Sequence, residues 1–586
     1  MNECHPNLLT LANELLEVIL ADDSLDHRHL LAVRSTSRRL YSICMSSKLW
    51  KRKALTRWSH WHNASDDQCD WYEIYKKRHQ LEELLRKEIN LIAYKCHDEQ
   101  IITNDRYDGI DRIVTGADST VIVPSAIECL EEFLDANKWN KLTMRYYARL
   151  VVKYLSHCRL QDEIQAFLAL PDWKQSPELG FSLLAYWMTS SYKVDIVNDT
   201  GQRIDRIAMR VLQLLQPSQI QIRLTHLSFG RDDWITDHTE AERILLTINK
   251  VLFTELNYHC NCDNYYDEKN VSIDKVLESG YGIPLTMCAI YLAIAARLGV
   301  HLEFVSFLSH FMLRWPCNSS STNETERFKY IDVLENGKLK TREECLQMIS
   351  FRLHRTLEHV STKELLCVAI GNWVNELHRS IPYRDSLLQL VHALNLDLIL
   401  NPNDQSIRFM YLYLLARVKA YDIKIIRDTF EKGNHGFFQM TPQHQRYLKT
   451  LVKKKYEKDN TMEIIKLRSE YPQVKFKIGD ILLHKRYNFQ CIVCGWDSVC
   501  DKGEAWILQN GINQLSQGKN QPFYNVLGAD SSERYVAQEN LETTDRTELI
   551  QHPELGRYFN SFSSKIYEPN EQMHKRYPED CSEVGL

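Results

Sequence analysis

The sequence predicts a multidomain α+β protein. Its expected parts are a three-helix N-terminal unit, a helical spacer, an α+β core with a helical tail, and a small all-β barrel. Three observations predict this. The chain has 586 residues, which at roughly 100–200 residues per domain is several domains rather than one. Its 44% hydrophobic and 25% charged residues are ordinary for packed cores and exclude a disordered chain. Finally, the hydrophobic period changes at Val474 from helical spacing to strand-like alternation.

The elements follow in order. In the stretch LANELLEVIL, Leu11, Leu15, Val18 and Ile19 lie near one helical face. Leu30, Leu31 and Val33 mark a second short helix, and Leu40, Ile43 and Cys44 a third. From residue 62 to about 235 the runs LEELLRKEINLIAYK and MRYYARLVVKYLSH keep helical spacing, with breaks at Pro171, Pro177 and Pro217. Between about 240 and 345 helices alternate with strand-like runs, and residues 346–470 return to helix. The segments VKFKIGDILLHK and FQCIVCGW then alternate as strands. The expected boundaries are 1–60, 61–185, 186–350, 351–470 (a solenoid-like tail) and 471–575.

Charge and cysteine usage narrow the function classes. There are 72 basic and 77 acidic residues, a net of −5, too neutral for bulk attraction to nucleic acid or membrane. The 16 cysteines are scattered, and a chain this long needs no disulfide frame. With no basic leader and no apolar run near 18 residues, a reduced cytoplasmic or nuclear protein is expected.

Three helices this short can hardly bury all their apolar side chains against one another, and leftover apolar surface marks a partner site. The segment resembles an F-box. The matching positions are Leu11, Glu14, Leu15, Ile19, Leu20, Leu30, Val33, Arg34, Ser37-Arg38-Arg39 and Leu49-Trp50. In that family such residues grip the Skp adaptor, which joins the protein to a cullin and RING ubiquitin-ligase core. The family prefers Pro after the first Leu; here it is Ala12. Residues 27–58 carry nine Lys/Arg and no Asp/Glu, a face suited to solvent or to an acidic protein partner.

Residues 190–350 resemble the SirB-type transglutaminase-like family through Gly282-Ile283-Pro284, Arg297-Leu298-Gly299, His310-Phe311 and Asp332, in order and at matching spacing. The resemblance implies a parent Cys–His–Asp triad, in which a cysteine opening a helix becomes a thiolate. His310 and Asp332 match the last two positions. Counting back from Gly299, the nucleophile position falls at or next to Pro284, which has no nucleophile. Cys288, one turn further in, faces the core with Leu292 and Ala295 and is expected to be inert. An inactive core is the first expectation; a thiol-type hydrolase or transamidase using Cys288 is the alternative.

The stretch from Val474 to Glu542, continued by the tail HPELGRYFNSF, resembles the YccV or heat-shock protein Q family. The resemblance rests on Phe476, Gly479, His484, Gly495-Trp496-Asp497, Gln521-Pro522-Phe523-Tyr524, Tyr535-Val536-Ala537 and Glu539-Asn540-Leu541. The family is named for hemimethylated DNA, and other members are linked to proteolysis. Residues 474–545 hold seven Lys/Arg and nine Asp/Glu, a poor balance for binding phosphates. Protein binding through Gln521, Pro522, Phe523, Tyr524, Tyr535, Glu539 and Asn540 is expected. DNA contact through Lys475, Lys477, Lys485 and Arg486 stays open.

Cys491-Ile-Val-Cys494 lies in a strand, where i and i+3 point to opposite faces. His259-Cys260-Asn-Cys262-Asp263 lacks a fourth ligand, and Gly511 to Lys519 has the wrong spacing for a phosphate loop. No metal or cofactor is expected. Taken together, the three resemblances imply a target-recognition subunit of an adaptor–cullin–F-box ubiquitin ligase, with no covalent chemistry of its own.

Overall fold

The computed structural model describes the chain except residues 1–9, 59–69, 100, 116–118, 136–140, 190–194, 216–233, 262–265, 308–309, 319–322, 348–357, 380–383, 419, 433–440, 460–464, 546–548, 564 and 582–586. It divides into two compact units. One joins Met1–Leu155 with Tyr456–Leu586, and the other is Ser156–Lys455.

The N-terminal segment is four short helices where three are expected: α1 (Asn13–Leu20), α2 (His27–Arg34), α3 (Arg38–Cys44) and α4 (Ser47–Arg57). The chain leaves helical geometry at Met45 and Ser46, so SKLWKRKALTR forms its own helix. Asp26 caps α2 in a reciprocal box with His29, and Ser37 caps α3. Helix α5 (Trp71–Cys96), capped by Asp70, completes the group. Leu16, Leu20, Leu30, Leu40, Ile43, Leu49, Trp50 and Trp58 pack with Trp71 and Tyr75 of α5 in a single core. Trp50 and Trp58 each lie within 5 Å of the Tyr75 ring. The Lys53 ammonium is buried and donates to the carbonyls of Asp22 and, at 2.8 Å, Leu25, holding the α1–α2 turn. Helices α6 (Asp108–Val114), α7 (Ser119–Asp135) and α8 (Leu142–Leu168) follow.

In the Ser156–Lys455 unit, α9 (Pro177–Thr189), α10 (Ile196–Leu215) and α11 (His238–Asn249) surround the buried helix α12 (Pro284–Arg297). Arg297 locks three of them together. It binds Glu178 of α9 through both terminal nitrogens (2.6 and 2.8 Å), and its Nε reaches Asp205 of α10 at 2.5 Å. Strands β1 (Glu303–Phe307), β2 (His310–Pro316), β3 (Phe328–Asp332), β4 (Lys338–Lys340) and β5 (Glu358–His359) form an antiparallel sheet of order β4-β3-β2-β1-β5. Helices α13 (Thr362–Arg379), α14 (Arg384–Leu400), α15 (Gln405–Arg417), α16 (Ile423–Lys432) and α17 (Pro442–Asp459) make the tail.

Where a small all-β barrel is expected, the C-terminal module is a five-stranded antiparallel sheet with no closure among the described residues. Its strands β6 (Ile481–His484), β7 (Gln490–Asp497), β8 (Phe523–Gly528), β9 (Glu533–Ala537) and β10 (Leu541–Thr543) run in the order β9-β8-β7-β6-β10. The two edge strands are linked by only Gln538–Asn540, a span of roughly 10 Å at most. The sheet must therefore curl strongly, but β10 is three residues long and no ladder joins the edges among the described residues. A hairpin, β11 (Phe559–Ser563) with β12 (Ile566–Pro569), follows. Gly479 sits at φ +90°, and a side chain there would press on the Tyr567 carbonyl.

This module docks on the spacer helices. Arg557 Nε donates to the His97 carbonyl (2.6 Å), Tyr146 donates to Glu554 (2.9 Å), and Arg576 pairs with Asp98 (3.0 Å). At the closest approach, a Cβ on Gly556 would lie 2.2 Å from the Leu142 carbonyl oxygen. Gly556→Ala is therefore expected to force the two apart at a cost of about 1–3 kcal/mol. Hydrogen exchange should then show lost protection in Leu142–Leu155 and Phe559–Pro569, with Ser156–Lys455 unchanged.

Candidate functional sites

The first site is the outer face of α1. Leu16 and Leu20 point into the core, which turns Leu15, Val18 and Ile19 outward; they are 53%, 60% and 41% exposed. Positions i, i+3 and i+4 of one helix form a stripe. Among the described residues, the segment's own core does not cover it, because Leu16 and Leu20 already use the inward face. Arg39 fixes the start of this helix, donating to Asn13 Oδ1 (3.0 Å) and to the Leu11 carbonyl (2.6 Å). That contact positions the helix start where the family's proline is replaced by Ala12.

The sequence-predicted residues here separate into two groups. Leu15, Ile19, Glu14 and Arg38 are exposed, and Leu11 and Val33 are half-buried. Leu20, Leu30, Leu49 and Trp50 are interior and shape the face rather than present it. Arg34 donates to the Tyr72 hydroxyl on α5 at 3.0 Å. Val18 was visible on the same helical face in the sequence but matches no family position.

The second site is the centre of the Ser156–Lys455 unit. Ile283 precedes α12 with extended backbone, and Pro284 occupies its first turn. A proline there suits the helix but supplies neither a nucleophile nor an N–H. Cys288 is fully buried, and its thiol lies 3.7 Å from the Phe311 carbonyl. Burial pushes this thiol well above its ordinary range, and Cys260 and Asp332 push the same way. A thiolate is disfavoured here on each count.

His310 opens β2, paired by backbone with Phe307. Asp332 closes β3 and is fully buried. Its Oδ2 accepts from Lys340 Nζ at 2.8 Å, and its Oδ1 accepts from the Leu334 N–H at 3.0 Å. Lys340 is buried too and also binds Glu335 at 2.6 Å. Although burial opposes it, Asp332 and Glu335 hold this ammonium above its ordinary range. Lys340 had no signal in the sequence: it lies in the short strand after the Asn336-Gly337 turn, where a lysine reads as solvated. The carboxylate that would orient a catalytic histidine thus carries a buried ammonium.

The C-terminal motif residues are partly interior, with Tyr535, Glu539 and Asn540 half-buried. Gln521, Pro522, Phe523 and Tyr524 are buried. Gln521 exchanges hydrogen bonds with Glu539, both at 3.1 Å. Tyr524 donates to Gln538 (2.7 Å) and accepts from the Lys475 N–H (3.0 Å). Tyr535 donates to Asp497 (2.8 Å). The Asn540 carbonyl accepts from the Lys485 N–H (2.9 Å). His484 Nδ1 accepts from the Arg486 and Tyr487 N–H groups, and Trp496 donates to Asp580 (2.9 Å). Among the described large apolar side chains of this module, Tyr487, Val499, Leu508 and Ile566 are exposed, and none belongs to the motif. Of the possible DNA contacts, Lys485 Nζ is turned onto the Glu539 carbonyl.

Cys491 and Cys494 are both buried in β7. Cys262 and Asp263 lie outside the described residues. Among the described residues no group of three or more His, Cys, Asp or Glu is placed to hold a metal ion, and no helix is long and apolar enough to cross a membrane.

Family models match at residues 198–367, described as "Transglutaminase-like superfamily", and at 474–566, described as "Hemimethylated DNA-binding protein YccV like". F-box only protein 21 of Pongo abelii is 32% identical over 592 residues, covering 98% of this chain and 93% of its own length. The Homo sapiens protein of the same name is 32% identical over 599 residues, and that of Mus musculus 31%, with the same coverage. No solved structure matches. The chain belongs to the F-box only protein 21 family.

Cys288 should stay unmodified by iodoacetamide in the native protein at pH 7.5 and react only on unfolding, while half-buried Cys260 and Cys317 react before it. Peptide mass spectrometry reads the order. Rapid native alkylation of Cys288 would contradict an inert, buried thiol.

Proposed function

We propose that this chain is the target-recognition subunit of an adaptor–cullin–F-box ubiquitin ligase, acting in the cytoplasm or nucleus to promote ubiquitination and turnover of bound proteins. The observation that carries this is the exposed stripe Leu15, Val18 and Ile19, set on a helix whose other face is locked into the core. Burying three such side chains in a partner is worth roughly 1.5–3 kcal/mol each before association costs. Tyr41 and Leu55 add exposed apolar surface on α3 and α4. Arg28, Arg38, Lys48 and Arg52 stand exposed in a segment without a carboxylate, which suits an acidic partner surface. The names of the relatives support the same reading.

In this reading the chain performs no covalent chemistry. It acts by proximity: α1 holds the Skp adaptor while a later module holds the target, raising the effective concentration of target lysines near the charged enzyme. Pro284 at the nucleophile position and the buried Cys288 support a non-catalytic core. Because Gln521–Tyr524 are buried, exposed side chains such as Tyr487, Val499 and Leu508 are the better candidates for target contact in the C-terminal module.

The test uses the full chain and purified Skp adaptor. Val18→Asp with Ile19→Asp should weaken binding at least about 100-fold, since two buried charges replace two apolar contacts, and leave the melting temperature unchanged because both positions are exposed. Retention of the adaptor within about threefold would remove α1 as the docking helix. Raising salt from 0.1 to 0.5 M should weaken the wild-type complex, as expected where exposed cations contribute.

A further inference from the structure

Helices α2, α4 and α5 meet at a cluster of cations and imidazoles outside both sites above. The ring centroids of His27 on α2 and His79 on α5 are 4.3 Å apart. Arg57, at the end of α4, reaches both: its Nη1 is 3.5 Å from His27 Nδ1, and its Nη2 is 3.3 Å from His79 Nδ1. The same guanidinium donates to the Tyr75 hydroxyl (2.8 Å) and to Glu82 (3.0 Å), both on α5.

Guanidinium has donors and no acceptor. Each Nδ1 facing Arg57 must therefore offer a lone pair, so both rings sit neutral with their protons on Nε2. A proton added at either Nδ1 turns an acceptor into a donor aimed at a donor. The neighbouring charges do not offset this. Around the rings stand Asp26 and Arg28 on the α2 side, Arg57 on α4, and Glu82, Glu83 and Arg86 on α5. Three cations face three carboxylates. Glu82 is already shared between Arg57 and Arg86 (2.9 Å), and Asp26 caps α2. Two imidazolium ions would leave the joint two charges positive.

We propose that His27, His79 and Arg57 form an acid-sensitive latch, which holds the four-helix docking segment to α5 when both imidazoles are neutral and loosens when they are protonated. What it connects gives it consequence. The far end of α5 meets the C-terminal module through Tyr94, under the Lys575 ammonium at 4.6 Å, and through His97 and Asp98. Acid would thus uncouple the face carrying Leu15, Val18 and Ile19 from the helix that carries that module. The latch stands or falls whether or not α1 binds an adaptor.

The sign follows from linkage. Burial, the other imidazole and Arg57 lower the His27 pKa from 6.5, and burial and Arg57 lower that of His79. The open state then binds more protons than the closed one below pH 6.5. Closure is complete above that value and is lost as pH falls through the lowered values, with opening rising up to about 100-fold per pH unit at full two-proton linkage.

Hydrogen exchange of the full chain at pH 7.5 and 5.5, corrected for intrinsic rates, tests this. In the wild type, protection in 27–34, 47–57 and 71–86 should fall at least about tenfold relative to Leu142–Leu155. In His27→Gln with His79→Gln, where a carboxamide oxygen accepts from Arg57 and does not titrate, it should not fall. Equal loss in both proteins, or loss in neither, overturns the latch. A second measurement needs no variant: histidine-labelled NMR should find both imidazoles titrating below 6.5, and titration at or above 6.5 overturns it equally.

Discussion

The shared core between the four N-terminal helices and α5 is the constraint on which the Met1–Leu155 segment depends. Helices of seven to eleven residues are too short to be stable alone. Trp50 and Trp58 find their partner in Tyr75, on α5 rather than on the four short helices. Because Leu16 and Leu20 are committed to that core, Leu15, Val18 and Ile19 have nowhere to go but outward. The partner face is a consequence of how the interior is filled. Helix α5, 26 residues and roughly 39 Å long, then carries that arrangement to the C-terminal module.

The transglutaminase-like module sets a proline, a buried cysteine and a buried ion pair at its centre. Proline at the first turn of α12 is good helix chemistry and no nucleophile. The strand carboxylate is satisfied by a buried lysine at 2.8 Å. Removing either member of such a pair would leave an uncompensated buried charge, so the pair holds β3 to β4 whether or not the module does chemistry.

The C-terminal module turns much of its motif toward its own interior. Gln521, Phe523, Tyr524 and Glu539 form a recognisable pattern, and such patterns suggest a binding surface. Each instead meets another residue of the module or is packed in its interior: Gln521 binds Glu539, Tyr524 binds Gln538, and Phe523 is fully buried. A polar residue kept for an internal hydrogen bond looks, in one dimension, the same as one kept for a ligand.

Local order was legible in the chain itself. The period change at Val474, the proline opening α12, the turn glycine at 479 and the apolar spacing of α1 depend only on backbone geometry and nearest neighbours along the chain, and their elements could be placed without a fold. What required the tertiary structure was every pairing between distant segments. The break at Met45 that makes a fourth helix, the open edges of the curled sheet, Lys340 beneath Asp332, and His27 beside His79 all depend on which surfaces meet. Periodicity states which face of an element is apolar. It does not state what that face meets, because burial and charge pairing are properties of two segments at once.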